Sequence, residues 1–172
     1  MDVVYRDATP EDCDALSALM RETFMATFGH LYSAEDSAAF VAASYTPAQQ
    51  YAELIDTGMG TRLAERGGAL VGYAQIGPLK LPIDPGPARA LELYRLYLRE
   101  EVQGAGVADA LMNWAMTHMR ARNATQAFLG VWCENVRAQK FYARHGFVQV
   151  GAYRFPVGAQ LDDEFILRAA LS

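Results

Sequence analysis

Small residues gather at one point of the chain, Gln103-Gly104-Ala105-Gly106-Val107-Ala108, directly before a run of helical periodicity. Glycine and alanine there let a ligand approach the backbone closely. The first N–H groups of a helix have no internal partner and carry the positive end of its dipole. Such a turn suits an anion, most naturally a phosphate or pyrophosphate, although it could also serve only to pack helix on strand. A Walker loop would need Lys-Ser or Lys-Thr after the last glycine, where Val107-Ala108 stands. A dinucleotide fingerprint would need Gly or Ala in place of Asp109, and it would normally open its domain. Upstream, Glu92 sits in the run Leu91-Glu92-Leu93-Tyr94-Arg95-Leu96-Tyr97-Leu98. Strict alternation puts Glu92, Tyr94, Leu96 and Leu98 on one face and Leu91, Leu93, Arg95 and Tyr97 on the other. Desolvation among apolar neighbours would raise the pKa of Glu92 toward a range useful for taking a proton. An ion pair with Arg89 or Arg95 is the plainer reading. Of the three histidines, His145 precedes Gly146, where a cation favours a helix end. His118 lies on the long helix, and His30 could line a pocket with Tyr32. Cys133, beside Glu134, reads as a structural thiol.

The chain that must position these residues has 172 of them, 52% hydrophobic and 20% charged, which suits one folded domain over 1–172. A net charge of −5 argues against nucleic acid as the main partner and suits a cationic substrate. Cys13 and Cys133 make neither a disulfide framework nor a zinc spacing, so no metal is expected and the thiols are expected reduced, in the cytoplasm. The start, Met1 to Asp7, carries no signal-peptide pattern, and no apolar run is long enough to span a membrane.

Val3-Val4-Tyr5 reads as a strand, and Thr9-Pro10-Glu11-Asp12 opens a helix with its cap at Thr9. A second helix is expected after Ser33, and a third from Thr46-Pro47 to Gly58. Residues 61–66 and 69–76 form a hairpin about Gly67-Gly68. Residues 77–87, with Pro78, Pro82, Pro85 and Pro87, form a loop. Strand 91–98, helix 104–122, strand 127–132, helix 136–145 and strands 147–153 and 164–170 complete the order β-ααα-ββ-β-α-β-α-ββ. This is an α/β fold around a single sheet, antiparallel except where a helix crosses over.

The turn at Gln103 resembles the acyl-CoA signature of the GNAT superfamily of N-acetyltransferases, Gln/Arg-x-x-Gly-x-Gly/Ala. A second segment, Asn135-Val136-Arg137-Ala138-Gln139-Lys140-Phe141-Tyr142-Ala143-Arg144-His145-Gly146-Phe147, is similar to the family's Asn-x-x-Ala-x-x-Phe-Tyr-x-x-x-Gly-Phe at every anchor. The opening Tyr5-Arg6-Asp7-Ala8-Thr9-Pro10-Glu11-Asp12 is also similar, so the resemblance covers essentially the whole chain. It implies a mixed, mostly antiparallel sheet of six to seven strands in which parallel strands four and five splay apart and admit acetyl-CoA. The pantetheine arm would bond to the backbone of Leu96, Tyr97 and Leu98. The pyrophosphate would lie on Gly104, Ala105, Gly106, Val107 and Ala108 after Gln103. Many relatives carry Lys or Arg within this loop where the chain has Ala105, which leaves Arg99 as a helper. Asn135 and Phe141 would border the cofactor, with Asn135 also able to cap its helix. Tyr142 would protonate the leaving thiolate, and Glu92 or a water chain would act as base. The likeness argues against Cys133 as a nucleophile, because these enzymes transfer directly in a ternary complex.

Three further segments, Thr27 to Asp36, Glu92 to Tyr97 and Phe155 to Leu167, are similar to bacterial polyamine acetyltransferases of the spermidine/spermine type. That likeness implies a small amine substrate held by carboxylates, for which Glu35, Asp36, Asp162 and Asp163 are available. Amino acids, aminoglycoside-like amines and protein N-termini stay open as acceptors, a homodimer as the assembly, and a regulator that binds acyl-CoA without turnover as the competing class.

Overall fold

Thr9 closes the first helical turn of the chain by donating its N–H to Asp12 Oδ2 at 2.7 Å. Pro10 sits at the start of that turn, and α1 (Cys13–Phe28) continues from it. Ser33 caps α2 (Ala34–Ser44) by accepting from the Asp36 N–H at 3.0 Å. Thr46 and Gln49 form a reciprocal capping box at α3 (Pro47–Ile55). That helix stops short of the expected Gly58 because Asp56 turns to extended backbone.

The computed structural model describes residues 2–171, and Met1 and Ser172 lie outside them. Seven strands form one sheet in the order β1-β2-β3-β4-β5-β7-β6. They are β1 (Val4–Asp7), β2 (Gly60–Arg66), β3 (Ala69–Pro78), β4 (Ala90–Leu98), β5 (Gln126–Trp132), β6 (Val148–Val157) and β7 (Gln160–Ala170). Every pairing is antiparallel except β4 with β5. The β2–β3 turn has φ of 61° at Gly67 and 79° at Gly68, the positive values its Gly-Gly sequence implied. β3 runs two residues into the expected loop. Pro78 is accommodated because β2 begins opposite Ile76, leaving only β4 beside the proline. β6 and β7 are also longer than expected and meet at Gly158-Ala159. Pro156 fits within β6 because that strand is the sheet edge.

Two features of β4 govern the site. Gln75 pairs with Arg95 and Ile76 with Leu93, so Tyr94 has no partner and forms a bulge. The alternation inverts there. Leu91, Leu93, Leu96 and Leu98 all join one apolar cluster, while Tyr97 joins the other. The strict alternation expected from sequence is therefore wrong across Tyr94. Glu92 shares its face with Arg95 and Tyr97, not with Leu96 and Leu98. In addition, β4 pairs with β5 only at Ala90, Leu91 and Glu92. From Leu93 to Leu98 its β5-facing edge has no strand beside it.

The core lies on both faces of the sheet. On one, α4 (Val107–Ala121) buries Val107, Leu111, Ala115 and Met119, and α5 (Val136–Arg144) adds Ala138, Phe141 and Tyr142. On the other, α1 buries Leu16, Leu19, Met20 and Phe24 against Leu63 and Tyr73.

Candidate active site

Where β4 and β5 part, a cavity of about 640 Å³ opens between them, a volume suited to a small-molecule site. Its walls carry Glu92 through Leu98 from β4, Gly130 to Trp132 from β5, and Asn135, Phe141 and Tyr142 from the α5 segment. Tyr153 and Phe155 of β6, Glu164 of β7 and the aromatics Phe24, Phe28, Tyr32 and Phe40 close the other side. Lys80, Leu81 and Pro82 of the proline-rich loop reach over it.

One end of the cavity meets the glycine-rich turn through Gln103 and Ala108. Gly104 and Gly106 have φ of 77° and 81°, a conformation that glycine reaches without a Cβ penalty. Ala110 is the first residue whose N–H bonds back into the turn, to Gly106 O at 3.1 Å. The N–H groups of Val107, Ala108 and Asp109 have no backbone partner among the described residues. Gly104, Ala105 and Gly106 are exposed, whereas Val107 is buried in the core and does not line the cavity. Arg99, expected as the cationic helper, instead donates Nη2 to Glu22 Oε2 at 2.9 Å and does not line the cavity. The cation at this end is Arg137, which donates Nη1 to Gln103 Oε1 at 2.9 Å. Sequence reasoning missed it, although it lies inside the Asn135 to Phe147 segment. Asn135 caps α5, its Oδ1 accepting from the Ala138 N–H at 3.2 Å, and also lines the cavity. These residues fit a diphosphate, with orphan amides and a cation and no side chain in the way.

The other end holds the titratable groups. Glu92 is buried, and its Oε1 accepts from the amides of Leu81 at 3.0 Å and Lys80 at 3.3 Å. Burial outweighs those bonds and raises its pKa to about 6. It makes no ion pair with Arg89 or Arg95. Arg95 pairs with Glu53 at 3.0 Å and donates to Gln75 at 2.6 Å. Tyr142 is half-buried, and burial first, then the charge of Glu164, pushes its phenol up to about 12. Two further carboxylates line the cavity, Glu53, which Arg95 pairs, and Glu164. Burial first, then Asp162, raises Glu164 to about 7. The sequence pattern starts a strand at Glu164 and assigns the residue no role. Its signal was an acid two residues before Ile166, on the inward phase of a strand that in fact starts at Gln160.

None of the carboxylates expected to hold an amine lines the cavity. Glu35 is exposed, and Asp36 Oδ1 accepts from the Ala159 N–H at 2.9 Å, tying α2 to the β6–β7 turn. Asp162 accepts from Tyr32 and from Gln160, and Asp163 faces solvent near Arg154. Tyr32 lines the cavity while His30 is exposed. His145 Nε2 lies 2.8 Å from Asp109 Oδ1, which joins the end of α5 to the start of α4. Cys13 and Cys133 are free. Among the described residues no helix is long and apolar enough to cross a membrane, and no group of three or more His, Cys, Asp or Glu is placed to hold a metal ion.

Residues 17–147 match the Acetyltransferase (GNAT) family. The chain is 30% identical, over 94% of its length and 93% of the relative's, to an uncharacterised N-acetyltransferase in the pepI 3′ region of Lactobacillus delbrueckii subsp. lactis. It is 32% identical, over 91% of its length and 96% of the relative's, to an uncharacterised N-acetyltransferase of Mycobacterium tuberculosis. Among solved structures, a PaiA N-acetyltransferase from Thermoplasma acidophilum in complex with coenzyme A has a TM-score of 0.81 over 99% of each chain, at 21% identity. An N-acetyltransferase from Staphylococcus aureus Mu50 has a TM-score of 0.75 over 100% of each chain, at 19% identity. At those identities the likeness to solved structures establishes the fold, which is the GNAT α/β fold expected from the sequence.

Proposed function

Because the chain belongs to the acetyltransferase (GNAT) family, we propose that it moves acetyl from acetyl-CoA to a primary amine of a small molecule, by direct attack with both bound. The observation that carries this reading is the continuity of the cavity, which joins the glycine-rich turn to Glu92 and Tyr142 through the gap between β4 and β5. The free β4 edge at Leu96, Tyr97 and Leu98 offers backbone groups to an extended pantetheine arm. The amides of residues 104 to 108, with Arg137 beside them, take the pyrophosphate. Coenzyme A in the Thermoplasma acidophilum structure supports the same use of the fold. Asn135 and Phe141 flank the arm. The acceptor is a cationic amine such as a polyamine, entering among Phe24, Phe28, Tyr32 and Tyr153. The compartment we assign is the cytoplasm.

An alkylammonium cannot attack until it loses a proton. Glu92, directly or through one water, takes it, and Tyr142 donates to the departing thiolate. An assay of acetyl transfer across polyamines, amino acids and peptides tests the reading. Turnover of polyamines is the expected result. Acetyl-CoA binding with no turnover on any amine would make the chain a regulator, and transfer to amino acids or peptides alone would move the substrate class.

The pH profile tests Glu92. A base must be ionised, so the rate falls as pH drops through its pKa, about 6. Glu92→Gln keeps the size but not the basicity. It is expected to lower kcat/KM by roughly 10²-fold and to abolish that acidic limb. A limb identical to wild type would assign it to the amine or to another group.

A further inference from the structure

Acyl transfer to an alkylammonium removes two protons from nitrogen, one before attack and one as the N–C bond forms, and Glu92 accounts for only the first. Of the other carboxylates lining the cavity, Glu53 is paired with Arg95 and Glu164 is not paired. Glu164 on β7 stands in register with Trp132 on β5 and Tyr153 on β6, and all three line the cavity with Tyr142. Tyr153 lies close over β5, since a Cβ on Gly130 would be 2.6 Å from its hydroxyl, and this holds the wall around Glu164. Glu92 accepts from two amides and Asp162 from Tyr32 and Gln160, but the Glu164 carboxylate has no hydrogen bond or ion pair among the described residues. The Glu164 oxygens are not sealed among protein atoms, so the carboxylate is free to meet a ligand in the cavity.

We propose that Glu164 is a second catalytic base, which takes the proton that nitrogen releases on bonding to the acetyl carbon and loses its charge beside Tyr142 as that phenol protonates sulfur. The inference rests on the amine-acetylation reading above. The protons balance. Glu92 takes the first proton of the ammonium and returns it to solvent. The N–C bond forms and the C–S bond breaks. The Tyr142 hydroxyl proton goes to the thiolate sulfur, and Glu164 passes the second nitrogen proton to the Tyr142 oxygen, directly or through a water. The products are an amide, a thiol and one released proton, with no oxidant or reductant involved.

The placement also links the two groups energetically. Ionised Glu164 adds to the burial that raises the Tyr142 phenol, and its neutralisation makes that phenol a better donor when sulfur needs the proton. The titratable groups around Glu164 are Asp162 on its own strand, Tyr97 on β4, Tyr142 on α5, Tyr153 on β6, Tyr32 before α2 and Cys133 after β5. Glu92 and Tyr153 line the same cavity, and the charge of Glu92 also raises the Tyr153 phenol.

The test compares wild type, Glu164→Gln and Glu164→Asp with one accepted amine, after confirming that each variant folds and binds acetyl-CoA. Glu164→Gln is expected to lower kcat about 10²-fold with KM for the amine within about threefold, and to remove an acidic limb near pH 7 while one near 6 remains. Glu164→Asp, which keeps a carboxylate, is expected to recover part of kcat and to restore the upper limb. The limb is expected to hold its position when the amine is exchanged for a weaker base. A kcat within twofold of wild type with the limb intact overturns the inference and leaves the transferase reading standing. A rise in KM alone does the same, since that is the mark of a group that only holds a cation. A wild-type protein that acetylates no amine overturns the amine reading, and this inference with it.

Discussion

Tyr142→Phe is expected to cut kcat by roughly 10²–10⁴ while acetyl-CoA affinity stays within about twofold. The substitution removes one hydroxyl. The ring keeps its contacts with Phe141 and Phe147, whose centroids lie 5.5 Å and 6.0 Å away. The fold and the cofactor path therefore survive. A phenol held near 12 is always protonated at working pH, so it is always ready to donate. It is also a reluctant donor. A free thiol has a pKa of about 8.5, well below that of this phenol, so transfer to a thiolate runs uphill. The charge state of Glu164 lowers that gap, so Tyr142→Phe and Glu164→Gln are expected to combine less than additively. Steady-state kinetics under conditions where chemistry limits the rate checks the single effect. A near-normal kcat would return Tyr142 to a packing role.

Gly106→Asp is expected to abolish acetyl-CoA binding at ordinary concentrations. Nothing lies within 4 Å of a Cβ built on Gly106, so the protein itself does not crowd the new side chain. Two other costs apply. The φ of 81° disfavours any residue with a Cβ by about 1–2 kcal/mol, though Asp and Asn tolerate it best. The carboxylate would also stand where the pyrophosphate must lie. Two unit charges about 4 Å apart repel by about 1 kcal/mol in water and about 4 near a protein surface, and this exposed turn lies between those limits. Gly106→Asn carries the same shape and backbone strain without the charge. Calorimetric titration of both variants isolates the electrostatic part, expected as a further 10- to 10³-fold weakening in the aspartate variant. Equal affinities for wild type and Gly106→Asp would remove the phosphate from this turn.

Much of the architecture is written locally. Thr9-Pro10, Ser33 and Thr46-Pro47 mark helix starts through their own hydrogen-bonding chemistry, and Gly67-Gly68 marks a hairpin because its φ values demand glycine. The conformation of the glycine-rich turn and the cap at Asn135 were legible for the same reason, since each depends on contiguous residues. What the sequence hid depends on distant partners. The bulge at Tyr94 arises from the register between β3 and β4, and no alternation rule within β4 reveals it. Glu164 joins the cavity only because β7 lies between β5 and β6. Arg99 was misjudged because Glu22, far back on α1, already claims it. The acids expected to hold the amine were available carboxylates in segments similar to polyamine acetyltransferases. Their true partners, Ala159, Tyr32 and Gln160, become visible only in three dimensions.

The bulge sets a parity rule for the central strand. Counting along β4, Tyr94 is the one residue that lets a carboxylate at 92 and leucines at 96 and 98 serve opposite sides of the same ribbon. Shortening the strand by one residue there would restore regular counting and force a choice. Either the leucines stay in the α4 core and Glu92 turns into it, or Glu92 stays in the cavity and the leucines leave the core. The length of this strand thus decides which side of the sheet each of its side chains serves, as much as their identity does.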